Sequence, residues 1–287
     1  MLILILTTSY IPAKCQETIE HRLDRIEAKI DTLLAFQRGH SCQDISYEVI
    51  KDSLNLLWGI ASQRGTILDY EYFVINHNDG FKIPCWVAYY LSFSNLQGTT
   101  NRTDDFRADP RLDNGLRSKL EDYRHSGYDR GHNAPAGAFK RSRDAMSTTF
   151  LLSNMSPQTP RLNRNIWRIL EEQVREMVRE EGEAWIITGN LFLNPDSQVI
   201  CPLEYIGPDH VAVPTHLFKA ILSMNENSDY SMYAFLLPNQ RDHIPGEPKD
   251  FIITVDRLEE IAGYDFFPEL DDDIENHLES LISSTWP

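Results

Sequence analysis

The sequence lacks any long apolar run. Nothing in its 287 residues approaches the roughly 20 apolar positions a spanning helix needs, which excludes a polytopic membrane protein. Cysteine is scarce. The four thiols, Cys15, Cys42, Cys85 and Cys201, show no CxxC and no metal-ligand spacing. They are too few for a disulfide scaffold, although an even count is compatible with disulfides. Internal repeats and low-complexity linkers are absent too, so one catalytic-size domain with an N-terminal appendage is the simplest organisation. Hydrophobic residues make up 41% and charged residues 24%, which excludes a disordered or collagenous chain. Positive charge is also in short supply, with 27 Lys and Arg against 43 Asp and Glu and a net charge of −16. Taken whole, that balance argues against a polyanionic partner.

Taken by segment, the balance changes. From Arg102 to Glu180 there are 15 basic and 12 acidic residues, which leaves −19 for the rest. Arg124 to Arg168 holds eight basic residues against Asp129 and Asp144 alone. From Glu247 onward there are 12 acids, with only Lys249 and Arg257 to offset them. A basic centre in an acidic body suits an anionic substrate, because the local field steers a ligand. Solvated faces of unequal charge would give the same count, so charge alone leaves the matter open.

Residues 1–13 begin MLILIL and reach a small residue, Ala13. They resemble a short signal-peptide core, although no Lys or Arg precedes it. The expectation is a cleaved signal and secretion, with a truncated gene start or a buried strand as the alternative. A transit peptide should be rich in Arg and poor in acids, and this start is not. Asn101-Arg102-Thr103 is a glycosylation sequon, relevant only to a secreted chain. Residues 14–60 read as a helical segment. Ile19, Leu23, Ile26, Ile30 and Leu33 form a short a/d seam that either docks on the body or mediates self-association as a homodimer. Residues 61–287 form the main domain.

From Asp69 the pattern is β-rich. DYEYFVINH, then Asn78-Asp79-Gly80, then FKIPCWVAYYLSF, reads as a hairpin. Residues 94–128 read as long loops with one short helix, and Thr148 to Leu152 as a brief buried strand. Asn163 to Glu180 reads as a helix with Ile166, Trp167, Leu170, Val174 and Val178 on its apolar stripe. That stripe makes Trp167 a core residue rather than a base-stacking platform. Strands are expected at Ala184–Thr188, Ala220–Met224 and Ser231–Leu236, and a helix near Val255–Ala262. Strands and helices mix without βαβ alternation, which favours an α+β fold.

Three runs carry chemistry: Asp129-Arg130-Gly131-His132; Asn154 to Gln158; and Leu162-Asn163-Arg164-Asn165-Ile166-Trp167 followed by Glu171. His132 suits general base work because its ordinary pKa lies near neutrality, and its motif reads as a loop. Arg130 suits phosphate, since a planar guanidinium clamps its oxygens bidentately. A salt bridge to Asp129 or Glu171 is its structural alternative. For Asn163, just after Pro160, the structural role is a helix N-cap. Eight helical steps put Glu171 about 12 Å further on and about 80° round, on a broadly shared face.

This combination resembles the DNA/RNA non-specific endonuclease family, the endonuclease G-like ββα-metal nucleases, from about residue 70 to 265. The resemblance extends to Phe106-Arg107-Ala108-Asp109-Pro110, Ile187-Thr188-Gly189, Val213-Pro214-Thr215-His216 with Lys219, and Leu237-Pro238-Asn239. It departs at Asn133 and at Gly137, where the family more often has Gln or an apolar residue and Ala. The resemblance implies an α+β ββα-metal (His-Me finger) fold, with a central mixed, mainly antiparallel sheet flanked by helices. It implies a Mg²⁺-dependent endonuclease, with Mn²⁺ as the alternative ion, acting on DNA and RNA with little sequence preference. Asn163 becomes the direct metal ligand and His132 the base. Glu171 accepts from metal-bound water, Arg130 holds phosphate, Asp129 braces the motif and Asn154 orients the site. Arg102, Arg107, Arg164 and Arg168 are the expected substrate-binding arginines, with Arg102 and Arg107 competing for one phosphate role. The family also brings a mitochondrial alternative to secretion. Two other readings stand beside it: a catalytically silent nuclease-fold protein that binds nucleic acid or protein, and a small-substrate phosphodiesterase.

Overall fold

Seven strands run antiparallel through the centre of the protein. The computed structural model describes residues 53–62, 65–199, 201–283 and 286. The signal-like start, the a/d seam, and Cys15 and Cys42 lie outside the described residues. The strands are β1 (Thr66–Tyr70), β2 (Phe73–Asn78), β3 (Ile83–Ser92), β4 (Asp129–His132), β5 (Met155–Gln158), β6 (Glu183–Leu191), β7 (Tyr205–Ile206), β8 (Val211–Ala212), β9 (His216–Met224), β10 (Tyr230–Pro238) and β11 (Ile252–Ile253). The large sheet has the order β1-β2-β3-β6-β9-β10-β11. Each of its pairings is antiparallel. The parallel contact among the described residues is an isolated bridge between Arg107 and Leu151.

The Asn78-Asp79-Gly80 hairpin joins β2 to β3 as expected. The run DYEYFVINH is two strands, however, because the chain turns at Glu71-Tyr72 and pairs Tyr70 with Phe73. Thr148 to Leu152 is not a strand. Helix α1 (Arg143–Thr148), capped at its start by Ser142 Oγ, which accepts from the Ala145 N–H at 3.0 Å, reaches into this segment and ends at Thr148.

Alternation gives the sheet two apolar faces. Tyr89, Ile186, Leu217, Ile221, Tyr233 and Phe235 are buried under helix α2 (Trp167–Glu181), which contributes Trp167, Leu170, Val174 and Val178. Trp185 and Phe218 point the other way. There Trp58 meets Trp185 edge-on at 5.5 Å, and Phe266 lies 5.5 Å from Phe218. Residues 53–62 belong to this body: Trp185 Nε1 donates to the Leu54 carbonyl at 3.0 Å. Helices α3 (Val255–Ala262) and α4 (Asp272–Glu279) follow β11. No helix among the described residues is long and apolar enough to cross a membrane.

Candidate active site

Strands β4 and β5 form a separate ribbon that pairs Asp129 with Gln158, Arg130 with Pro157, Gly131 with Ser156 and His132 with Met155. The Asp-Arg-Gly-His run is therefore a strand rather than a loop. Its glycine permits this: a Cβ at Gly131 would stand 2.0 Å from Gln158 Cδ, so a side chain there would push the ribbon apart.

His132 closes the ribbon. It is buried, with Phe150 edge-on at 5.0 Å and Phe106 at 5.8 Å. Burial, then the charges of Arg102 and Arg130, pull its pKa down to about 3. The imidazole is thus neutral near pH 7, and burial beside two cations makes it a weaker base than a free histidine until an anion offsets their charge. Its Nε2 is buried without a hydrogen-bond partner among the described residues, as are both amide atoms of Gln158. Buried polar atoms of this kind call for a ligand or water.

Asn154 fixes the chain that leaves His132. Its Nδ2 donates to the carbonyls of Ala134 and Thr149, both at 2.9 Å, and its Oδ1 accepts from the Ala134 N–H at 2.9 Å. Asn133, one of the two departures, is a buried brace that donates to the Asn154 carbonyl and to Ser156 Oγ.

Asp129 joins the ribbon to the helix. It accepts from Asn163 Nδ2 at 2.9 Å, and from Arg164 Nε and Nη2 at 2.8 and 2.6 Å. Burial raises its pKa, but the bonds from Arg164 and Asn163 and the charges of Arg164 and Arg130 outweigh that and hold it low. Asn163 is not the N-cap. Thr159 Oγ1 takes that role, accepting from the Leu162 N–H at 3.2 Å. Asn163 lies instead in a π turn, Leu162–Ile166, closed by the Trp167 N–H on the Leu162 carbonyl, a local widening common at functional sites. Trp167 itself is in the core.

Arg130 stacks over Phe106 at 3.9 Å, and no ion pair ties it to Asp129 or Glu171. Arg102 lies over Phe150 at 4.8 Å, and its charge acts on both His132 and Glu171. Arg107 is held elsewhere, donating from Nη1 to Asp105 Oδ2 and the Ser147 carbonyl, both at 2.9 Å. Of these two, Arg102 is the one whose charge reaches the site. Arg164 and Arg168 are exposed. Arg164 braces Asp129, and Arg168 pairs with Glu172 at 2.6 Å.

Glu171 is half-buried on α2. Burial raises its pKa against the pull of Lys219, Arg175 and Arg102, with Glu172 adding to the rise. Two of these cations, Arg175 and Lys219, are not among the site residues expected from the sequence. Arg175 follows Glu171 by one helical turn, a spacing that could have revealed it. A Cβ at Gly137 already comes 3.0 Å from Arg175 Nη1, so the alanine usual there would crowd it. Lys219 comes from β9, across the sheet. A cleft of about 480 Å³ lined by Tyr123, Arg124, Tyr128 and Arg130, among others, opens beside the ribbon. Asp256, Glu259 and Glu279 form a carboxylate cluster close enough to hold a cation, but it lies on α3 and α4 and includes no residue of this site.

A β-ribbon followed by a helix, with a histidine on one and an asparagine on the other, is the arrangement of the ββα-metal nuclease fold. The chain belongs to the DNA/RNA non-specific endonuclease family, whose model matches residues 59–273. It is 37% identical to mitochondrial nuclease EXOG of Danio rerio over 70% of this chain and 60% of that one. It is 34% identical to human mitochondrial endonuclease G, over 70% and 69%, and 35% identical to nuclease C1 of Cunninghamella echinulata var. echinulata, over 75% and 88%. The chain thus spans about 60% of the zebrafish relative's length. In three dimensions it matches a chain of the EndoG/EndoGI complex, a structure that addresses EndoG inhibition. The TM-score is 0.71 at 28% identity, over 80% of this chain and 95% of that one.

Proposed function

We propose that the protein is a Mg²⁺-dependent endonuclease that hydrolyses phosphodiester bonds of DNA and RNA with little sequence preference. The observation that carries this is His132 at the ribbon's end, buried with an unpartnered Nε2 and flanked by the charges of Arg102 and Arg130. The residues fit a hard divalent ion. Asn163 gives its amide N–H to Asp129, which leaves Oδ1 for a cation. One protein oxygen plus waters suits Mg²⁺, with Mn²⁺ as the alternative. Bound there, such an ion supplies positive charge against the developing phosphorane and the leaving oxygen.

The side chains do the rest. His132 Nε2 takes the proton of a water whose oxygen attacks phosphorus in line. The P–O3′ bond breaks, and the departing O3′ takes a proton from water, leaving a 5′-phosphate and a 3′-hydroxyl. Arg130 and Arg102 hold phosphate oxygens by charge-assisted bonds. Glu171 would orient the hydration of such an ion by accepting hydrogen bonds. Asp129 and Asn154 position the ribbon and do not touch substrate. Arg164 and Arg168, exposed on the helix, and Arg107, further from His132, would add outlying phosphate contacts that make binding salt-dependent.

The names of the relatives favour mitochondria over secretion. The domain would begin near residue 53, with residues 14–52 as an appendage that supports a homodimer. Fractionation, N-terminal sequencing of the mature protein and sedimentation of full-length and truncated chains test these points. Plasmid digestion with and without EDTA, beside a bis-nitrophenyl phosphate assay, tests the activity. Metal-dependent nicking that disappears in His132→Ala is expected. DNA binding without cleavage by the unaltered protein would establish the silent alternative. Ester hydrolysis without nicking would establish the small-substrate one.

A further inference from the structure

Lys219 is the buried charge that the chemistry above does not use. It has no measurable exposure, at the centre of β9 between β6 and β10, where the register sets it opposite Thr188 and Phe235. An ammonium has three donors. Here one reaches Thr188 Oγ1 at 2.6 Å, and the group lies 4.9 Å from the centre of the Trp167 ring and 5.9 Å from that of Tyr89. Leu217 and Ile221, two residues to either side on the same face, are both apolar core. Packing alone would be served by an apolar residue at 219, since an unpaired buried ammonium is costly. The charge therefore calls for a counter-charge. Trp167 and Glu171 are one helical turn apart, so an ammonium over the Trp167 ring sits against the stretch of helix that carries Glu171, beyond direct ion-pair distance of its carboxylate.

We propose that Lys219 is a positioning residue for the nuclease reaction: anchored on Thr188, its ammonium acts through space on the Glu171 carboxylate from inside the core. The proposal rests on the nuclease reading given above. Lys219 touches neither DNA nor ion, and acts through Glu171. The other charged and titratable groups facing this pair are Arg175 and Glu172 from α2, Arg102 from the loop before β4, and Tyr89 from β3. Burial pushes the Lys219 pKa down while Glu171 pulls it up, and Lys219 is first among the charges that oppose protonation of Glu171.

A double-mutant cycle on the full chain decides the matter. Lys219→Met should lower kcat at pH 7 about tenfold or more, with KM for plasmid DNA unchanged because the ammonium is out of reach of solvent. In a Glu171→Gln background the same substitution should change kcat by less than about twofold. The acid limb of the rate profile in Lys219→Met should move up by about one pH unit. Melting in EDTA gives a readout independent of activity: Lys219→Met should lower Tm more with Glu171 present than with Gln in its place. Equal losses in both backgrounds, by rate and by melting, would overturn the proposal. If Lys219→Met fails to fold, Thr188→Val removes the anchor and should show the same coupling in milder form; additive behaviour there overturns it as well. An unaltered protein that fails to nick plasmid would sink the nuclease reading instead, and the EDTA melting cycle would still decide the Lys219–Glu171 pairing.

Discussion

Two glutamates on helices of this protein keep opposite electrical company. Glu171 on α2 is raised by burial, but Lys219, Arg175 and Arg102 oppose the rise. Glu259 on α3 is also raised by burial, and there Glu279, Asp265 and Glu275 add to it. Its bond from the Phe266 N–H, at 2.6 Å, is the main relief. Glu259 is pushed up to about 9 and Glu279 to about 8. Burial among other carboxylates turns a carboxylate into a proton binder. A carboxylate that must stay charged in a half-buried site needs cations placed around it, and these come from a helix, a loop and a strand. The net charge of −16 belongs largely to regions of the second kind.

The largest test of this contrast removes chemistry from one region only. His132→Ala should reduce plasmid cleavage by about 10²–10⁴-fold, and Asn163→Ala should abolish the metal requirement's benefit to a similar degree. Glu259→Gln should leave cleavage unchanged. A comparable loss from Glu259→Gln would mean that the two regions are not functionally separate. The acid limb of kcat/KM provides a second check. With the His132 pKa near 3 in the free protein, that limb should lie below the ordinary histidine value of about 6.5.

Next in size is the choice between two arginines. Arg102→Ala should lower kcat/KM about 10²-fold, as loss of one preorganised donor does. Arg107→Ala should leave it within about threefold while costing about 1 kcal/mol of stability through its bonds to Asp105 and Ser147. Equal kinetic losses in the two variants would return both to the approach groove. The sequence could not separate them, because only the folded loop puts Arg102 over Phe150 beside His132.

That limit is general in this molecule. The proposed roles of His132, Asn163 and Glu171 can be suggested from sequence because these residues fall in short local motifs. Arg175 was legible in principle, one turn beyond Glu171. Lys219 could be quoted as part of a motif, but its role depends on a register that pairs Thr188 with Lys219 across β6 and β9. No local pattern encodes that register. The turn at Glu71-Tyr72 was missed because neither residue is a strong turn former. Asn163 looked like a cap because Thr159, the residue that caps, stands before a proline that opens the helix.

The two regions should also fail at opposite ends of the pH scale. His132 has a folded pKa far below its unfolded value, so its contribution to stability is present above about 6.5 and is lost as pH falls toward 3. Glu259 and Glu279 have folded values above the ordinary 4.5. Their contribution is complete below 4.5 and is lost as pH rises through 8 to 9. Glu279→Gln should therefore stabilise the protein at pH 9 by about 1–2 kcal/mol after allowance for solvent screening, or a few degrees in Tm. The gain should vanish at pH 5. A pH-independent effect would mean that the cluster does not titrate as a repelling group.

The smallest expected effect lies at the rim of the cleft. Arg168 is exposed and shares its charge with Glu172, so Arg168→Ala should barely move Tm, as for most exposed helical pairs. If the approach to the site carries phosphate contacts, the same change should still lower the slope of log K against log salt by about 0.9. Cleavage at low salt would fall only slightly, while the salt sensitivity of binding would drop by one phosphate's worth. Arg257→Ala, on the acidic α3 and paired with Glu260, supplies the matched control. It removes the same charge from the chain, so a net-charge effect would change both slopes equally. A change confined to Arg168→Ala would show that the position of a charge, rather than the total, governs how this acidic protein meets a polyanion.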